Sequence, residues 1–131
     1  MEETSTLTQM TSGMPKVVDA KTHAVLDYLT AGTFFAMGFS MMGRHQRAAG
    51  LAFANGAAVL GLSMMTDYPG GIIKKISFQT HGVVDVFQAL MAAAGPALLG
   101  FAGEPEAQAF YGQAALEAGV VATTDWNAVP A

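Results

Sequence analysis

A shift of 58 positions lays the second half of this chain over the first. His23 falls on His81, Asp27 on Asp85 and Asp67 on Asp125. Thr22 meets Thr80, Thr66 meets Thr124, Gly61 meets Gly119, and Asn55 meets the related amide Gln113. Tyr68 falls on Trp126, two aromatics of the type that sits at membrane interfaces. Each copy reads T-H-x-x-x-D, a helix, a turn, a second helix, then T-D-aromatic. A chain built this way is expected to fold as two equivalent helical hairpins.

Hydropathy says where such hairpins belong. Ala24 to Met42 is apolar except for Asp27, and Ala48 to Met65 is rich in Ala and Gly. Two further spans are predicted from about Thr80 to Phe101 and from Ala107 to Thr124. About 20 apolar residues cross a bilayer as a helix. The chain is 52% hydrophobic and only 12% charged, against about a quarter charged in ordinary soluble domains. The surplus apolar surface is therefore expected to face lipid. The fold class that follows is all-α: a four-transmembrane-helix bundle of two parallel repeats, about 21–70 and 79–128, within a 21–131 domain. Each repeat has an even number of spans, so both enter from one side and the pseudo-twofold axis lies along the membrane normal. Residues 1–20 carry Glu2 and Glu3 and no apolar core, which excludes a signal peptide and predicts a flexible or surface-lying tail.

Lys16, Lys21, Lys74 and Lys75 fall on the terminal side, against Arg44 and Arg47 on the other. That bias predicts a multi-pass protein with both termini cytoplasmic. A formal charge of −4 argues against a nucleic-acid partner. The absence of cysteine removes disulfides, thiolate metal sites, thiol nucleophiles and thioether-linked haem. No serine–histidine–acid set, phosphate loop or dinucleotide fingerprint occurs. The nine methionines do not make a copper site, because Met41-Met42 and Met64-Met65 are expected at opposite bilayer faces; flexible apolar packing is their role.

The candidate site is the set of matched polar groups: His23, Asp27, Asp67, His81, Asp85 and Asp125. A His and an Asp four apart share a helix face, and all six are expected near the terminal-side boundary, pointing inward. Three roles suit them. One is a structural network of interhelical hydrogen bonds, with Thr22 and Thr80 as helix N-caps. Another is a metal or tetrapyrrole site on His23, Asp27, His81 and Asp85, since imidazole and carboxylate suit zinc, manganese or iron. The third is a proton relay. Against metal, the Glu-x-x-His ligands of di-iron bundles are absent. Glu117 is a separate intramembrane acid, about 12 Å along its helix from Asp125, and its repeat mate is Val59. Asn55 and Gln113 are expected to hydrogen-bond between helices. Ala52, Gly56 and Ala57 should line a tight bundle or dimer seam. His45 reads as a solvated turn residue.

H-A-V-L-D-Y at 23–28, T-D-Y at 66–68, H-G-V-V-D at 81–85 and A-G-P-A-L-L-G-F at 94–101 resemble the SPW-repeat family. The resemblance covers about residues 20–126. It implies a small bacterial inner-membrane protein with paired two-span repeats, and implies fold and location rather than an activity. The chain departs at the family's Ser-Pro-Trp triplet, where Gly95-Pro96-Ala97 and Gly38-Phe39-Ser40 stand. The function expected is a non-catalytic structural or accessory subunit in a membrane assembly or homo-oligomer. The alternatives are metal or tetrapyrrole binding and proton or small-solute passage, with Glu117 as the mid-membrane step. Intramembrane hydrolysis ranks last, because no substrate pocket is marked.

Overall fold

A computed structural model describes residues 7–127. Four helices carry the fold: α1 (Ala20–Met41), α2 (Gln46–Met65), α3 (Phe78–Leu98) and α4 (Ala107–Thr123). No strand occurs among the described residues, so the protein is all-helical, as expected. Two of the helices, α1 and α2, are long and apolar enough to cross a membrane. The other two fall outside that description for visible reasons. Helix α3 carries His81, Asp85 and Gln88 in its interior, and α4 has only 17 residues.

Each helix buries one narrow stripe. In α1 it includes Ala20, Ala24, Asp27, Ala31, Phe34, Gly38 and Met41, with His23 buried beside Ala24; in α3 it includes Phe78, His81, Asp85, Gln88, Ala92 and Gly95. Spacings of three and four alternate, the pattern of helices that pack side by side. The stripe contains the polar residues, while Phe39, Phe87, Leu90 and Leu116 lie exposed on the outside. Polar and apolar side chains thus share the buried stripes, and several large apolar side chains lie on the outer surface.

Helices α1 and α3 end on the same face. Gly43 and Gly100 follow them with φ of 81° and 79°, the left-handed conformation that glycine enters without Cβ strain. After α3 the amide of Gly100 donates to the Ala97 carbonyl and that of Phe101 to the Pro96 carbonyl, which satisfies the last turn. At this face Arg44 pairs with Glu106 at 2.6 Å. His45 is not a solvated turn residue. Its Nδ1 accepts from the Ala48 amide as the N-cap of α2, and its Nε2 lies 3.0 Å from Glu104.

At the opposite face the two repeats exchange their ends. Val18 precedes α1 and pairs with Thr124 at the end of α4; Ile76 precedes α3 and pairs with Thr66 at the end of α2. The Val18 amide donates to the Thr123 carbonyl and the Asp125 amide to the Val18 carbonyl. The bonds from Ile76 to Met65 and from Asp67 to Ile76 are their 58-residue counterparts. Asp19 and Ser77 cap α1 and α3 by accepting from the amides of Thr22 and Thr80. The N-caps therefore lie three residues before the threonines that sequence pointed to. Residues 1–6 of the expected tail lie outside the described residues. The part from 7 onward lies on the bundle: Leu7 is buried, and Lys16 Nζ donates to the Ala122 carbonyl.

Two apolar clusters result. Leu7, Ala20, Ala24, Tyr68, Phe78, Val121 and Trp126 close the terminal end. Phe34, Met41, Leu51, Ala52, Phe101 and Phe110 belong to the cluster at the other end. Ala52 is buried there, and Gly56 lets Phe34 and Phe35 approach, so both serve the seam between α1 and α2. Ala57 faces outward. Polar residues occupy the layer between the clusters.

Candidate functional site

The polar layer begins with four residues from two helices. His23 and Asp27 share a face of α1, and His81 and Asp85 the matching face of α3. Both imidazoles are wholly buried, and both aspartates are at least nine-tenths buried. Pairing crosses between the repeats as well as along each helix. His23 Nε2 lies 3.0 Å from Asp85 Oδ2 and 3.3 Å from Asp27 Oδ1. His81 Nε2 lies 3.0 Å from Asp27 Oδ2 and 3.2 Å from Asp85 Oδ2.

The far nitrogen of each ring fixes its tautomer. His81 Nδ1 is 2.7 Å from Thr66 Oγ1, and His23 Nδ1 is 2.9 Å from Thr124 Oγ1. Each threonine hydroxyl donates its own proton to a carbonyl of its helix, Thr66 to Leu62 and Thr124 to Val120, both at 2.6 Å. Each Oγ1 therefore accepts, so Nδ1 of each ring carries a proton. Nε2 is then either a lone pair or the second N–H of an imidazolium. His23 Nε2 is placed to bond Asp85. His81 Nε2 is different: it has two carboxylate oxygens within 3.2 Å, yet no aligned hydrogen bond to either.

Asp27 has a further partner, because the Tyr68 hydroxyl donates to its Oδ2 at 2.7 Å. Burial, and then the nearby Asp27 carboxyl, push ionisation of Tyr68 above the usual phenol range, so the hydroxyl remains a donor. The aromatic groups form a lid. The Trp126 ring packs 5.0 Å from His23, and the Tyr68 ring 5.1 Å from His81. Gly82 makes room for this lid, since a Cβ there would meet the Trp126 ring at 2.7 Å. Tyr68 and Trp126 are thus buried over the site and are not interface anchors.

Of the six expected site residues, the four on α1 and α3 converge. Asp67 is exposed and Asp125 half-buried, and neither reaches the cluster. The missing contributors are the residues beside them, Thr66, Tyr68, Thr124 and Trp126. The repeated T-D-aromatic pattern carried that signal, but in the threonine and the aromatic. Asn55 bonds across helices as expected, but its partner is Gln88 Nε2 at 2.8 Å. Gln113 lies apart.

A cleft of about 190 Å³ runs between α1 and α4 and reaches this layer. Leu26, Leu29, Leu116 and Val120 wall it; Asp27, Asp85, Gln113 and Glu117 supply polar groups. Glu117 is 9% exposed, and neither carboxylate oxygen has a hydrogen-bond partner. Val59 and Gln88 also line the cleft, and the Gln88 side chain donates to Asn55 Oδ1 between α3 and α2.

The four ligand atoms of His23, Asp27, His81 and Asp85 lie within 4.8 Å of one another. Donors about 2.0–2.2 Å from a tetrahedral ion stand about 3.3–3.6 Å apart, a few tenths of an ångström wider than the 3.0–3.3 Å nitrogen–oxygen separations here. A tetrapyrrole does not fit, since a macrocycle cannot lie between rings that share carboxylates at these distances. Among the described residues His45, Glu104 and Glu106 also approach one another, but Arg44 and Arg47 already neutralise the two glutamates. No protein-family model, curated protein or solved structure matches the chain.

Proposed function

We propose that this protein is a membrane-embedded four-helix bundle that binds one divalent transition-metal ion between His23, Asp27, His81 and Asp85. The observation that carries it is His81 Nε2, buried, aimed between two carboxylates and aligned with neither. A metal ion takes the lone pairs of both Nε2 atoms and one oxygen from each aspartate. Thr66 and Thr124 then serve as outer partners that fix ring orientation and raise ligand basicity. Two nitrogens and two oxygens without sulfur suit zinc, manganese or iron(II).

Four membrane crossings are supported by the exposed apolar side chains, which occur on every helix, and by the lengths of α1, α2 and α3, near the 30 Å hydrocarbon thickness. The charged side chains within the helices point inward or lie at the ends. The lysine bias favours a cytoplasmic terminal face, and the resemblance to the SPW-repeat family favours a bacterial inner membrane.

Titration of the chelator-stripped protein with Co²⁺ in detergent tests the metal site. One equivalent should bind and give the intense visible absorption of a four-coordinate site, and His81→Ala should abolish it. Absence of binding by the intact protein would overturn this function.

A role as a packing subunit is compatible with the metal site. A nearly wholly apolar groove of about 270 Å³ between α3 and α4 is lined by Ala89, Ala93, Ala114 and Ala118, residues that let another helix approach closely. Mass measurement of the particle in mild detergent should give an oligomer or a complex; a stable lone monomer would remove this role.

A further inference from the structure

We infer that the cleft between α1 and α4 binds an amphiphile with a primary ammonium head, held by Glu117. The inference concerns a second site and does not depend on the metal. Glu117 lines the cleft, and no Lys or Arg does. A buried carboxylate without a counter-charge or hydrogen bond is costly, and both of its oxygens lack a partner.

Geometry selects the class of cation. The terminal end of the polar layer is closed by Leu7, Tyr68, Phe78 and Trp126, so the approach is lateral. Leu29 and Leu116 are 62% and 64% exposed and form an apolar mouth. A ligand that passes between them needs an apolar body. Its head meets Glu117 and Gln113, and an ammonium with three donors can address several acceptors at once. The volume, about 190 Å³, is several times that of one water molecule. A bare ion would leave most of it empty. Val59 and Gln88 also line the cleft; Val59 is the repeat mate of Glu117, so the acid occurs in only one of the two copies.

Calorimetric titration of the full chain in detergent, with chelator present, tests this with hexylammonium as the probe. It should bind saturably with one-to-one stoichiometry. Hexanol, hexanoate and hexyltrimethylammonium should bind far more weakly, since each lacks the charge or the donors. Glu117→Gln keeps the shape and should weaken hexylammonium roughly tenfold or more. Leu29→Trp should weaken it similarly by filling the mouth. Equal binding of hexylammonium and hexanol by the intact protein, or unchanged binding by Glu117→Gln, would overturn the site. Because chelator is present, failure of the Co²⁺ titration leaves this result standing, and the reverse holds as well.

Discussion

Asp27→Asn is expected to lower the unfolding free energy of the metal-free protein in detergent by about 3–5 kcal/mol, the cost of breaking a buried ion pair on one side. Asp27 is approached by both imidazoles and by the Tyr68 hydroxyl. Asn keeps its shape but removes one of the two negative charges that oppose the rings. A ring protonated at both nitrogens must then lose a proton or stand uncompensated. Its Nε2 would turn a lone pair toward the remaining carboxylate. Co²⁺ binding should disappear in the same variant. Asp67→Asn is the control: it changes an exposed residue of the same type in the same repeat and should alter stability by less than about 0.5 kcal/mol. Thermal unfolding followed by circular dichroism compares the three proteins. Equal stability of Asp27→Asn and the parent would mean that the buried aspartate is already neutral.

Thr66→Val should leave the fold intact and weaken Co²⁺ binding about 10–100-fold, the usual effect of removing an outer partner from a ligating histidine. Valine matches threonine in volume but offers no acceptor to His81 Nδ1–H. The ring can then rotate or change tautomer, and Nε2 is no longer held with its lone pair at the centre. Thr124→Val should do the same through His23. The repeat makes the magnitudes comparable, because both threonines spend their hydroxyl proton on their own helix and accept from the ring of the other repeat. Affinity unchanged in both variants would show that the threonines do not orient the ligands. A large effect in only one would show that the two histidines ligate unequally.

Much of this architecture was legible in the chain. The helix positions followed from apolar run length, within a few residues. The match of His23 with His81 and of Asp27 with Asp85 pointed to the four residues that converge. Spacing alone paired each histidine with the aspartate one turn along its own helix, which is true but incomplete. The shorter His23 contact, 3.0 Å against 3.3 Å, crosses to the other repeat, and only the packing of α1 near α3 reveals it. The aspartates of the T-D-aromatic segment misled for a local reason. After α2 the backbone becomes extended, and successive side chains point to opposite sides. Thr66 faces in, Asp67 out and Tyr68 in. Residues 124–126 repeat the alternation, with Asp125 half-buried. Charge drew notice to the residues that face away. The asymmetry at Glu117 and Val59 was visible in the sequence, but the cleft was not, because it depends on how loosely α1 meets α4.

The exchange of ends between the hairpins has a consequence for what counts as a unit of this protein. The segment before each hairpin is hydrogen-bonded by the end of the other, and each imidazole is oriented by a hydroxyl from across the seam. Neither hairpin owns a finished centre, and deletion of one removes half the donors and also the orienting partner of the donor that survives. Fusion of the two into one polypeptide fixes their ratio at one to one, while freeing each copy to diverge where equivalence is not required, as at Glu117.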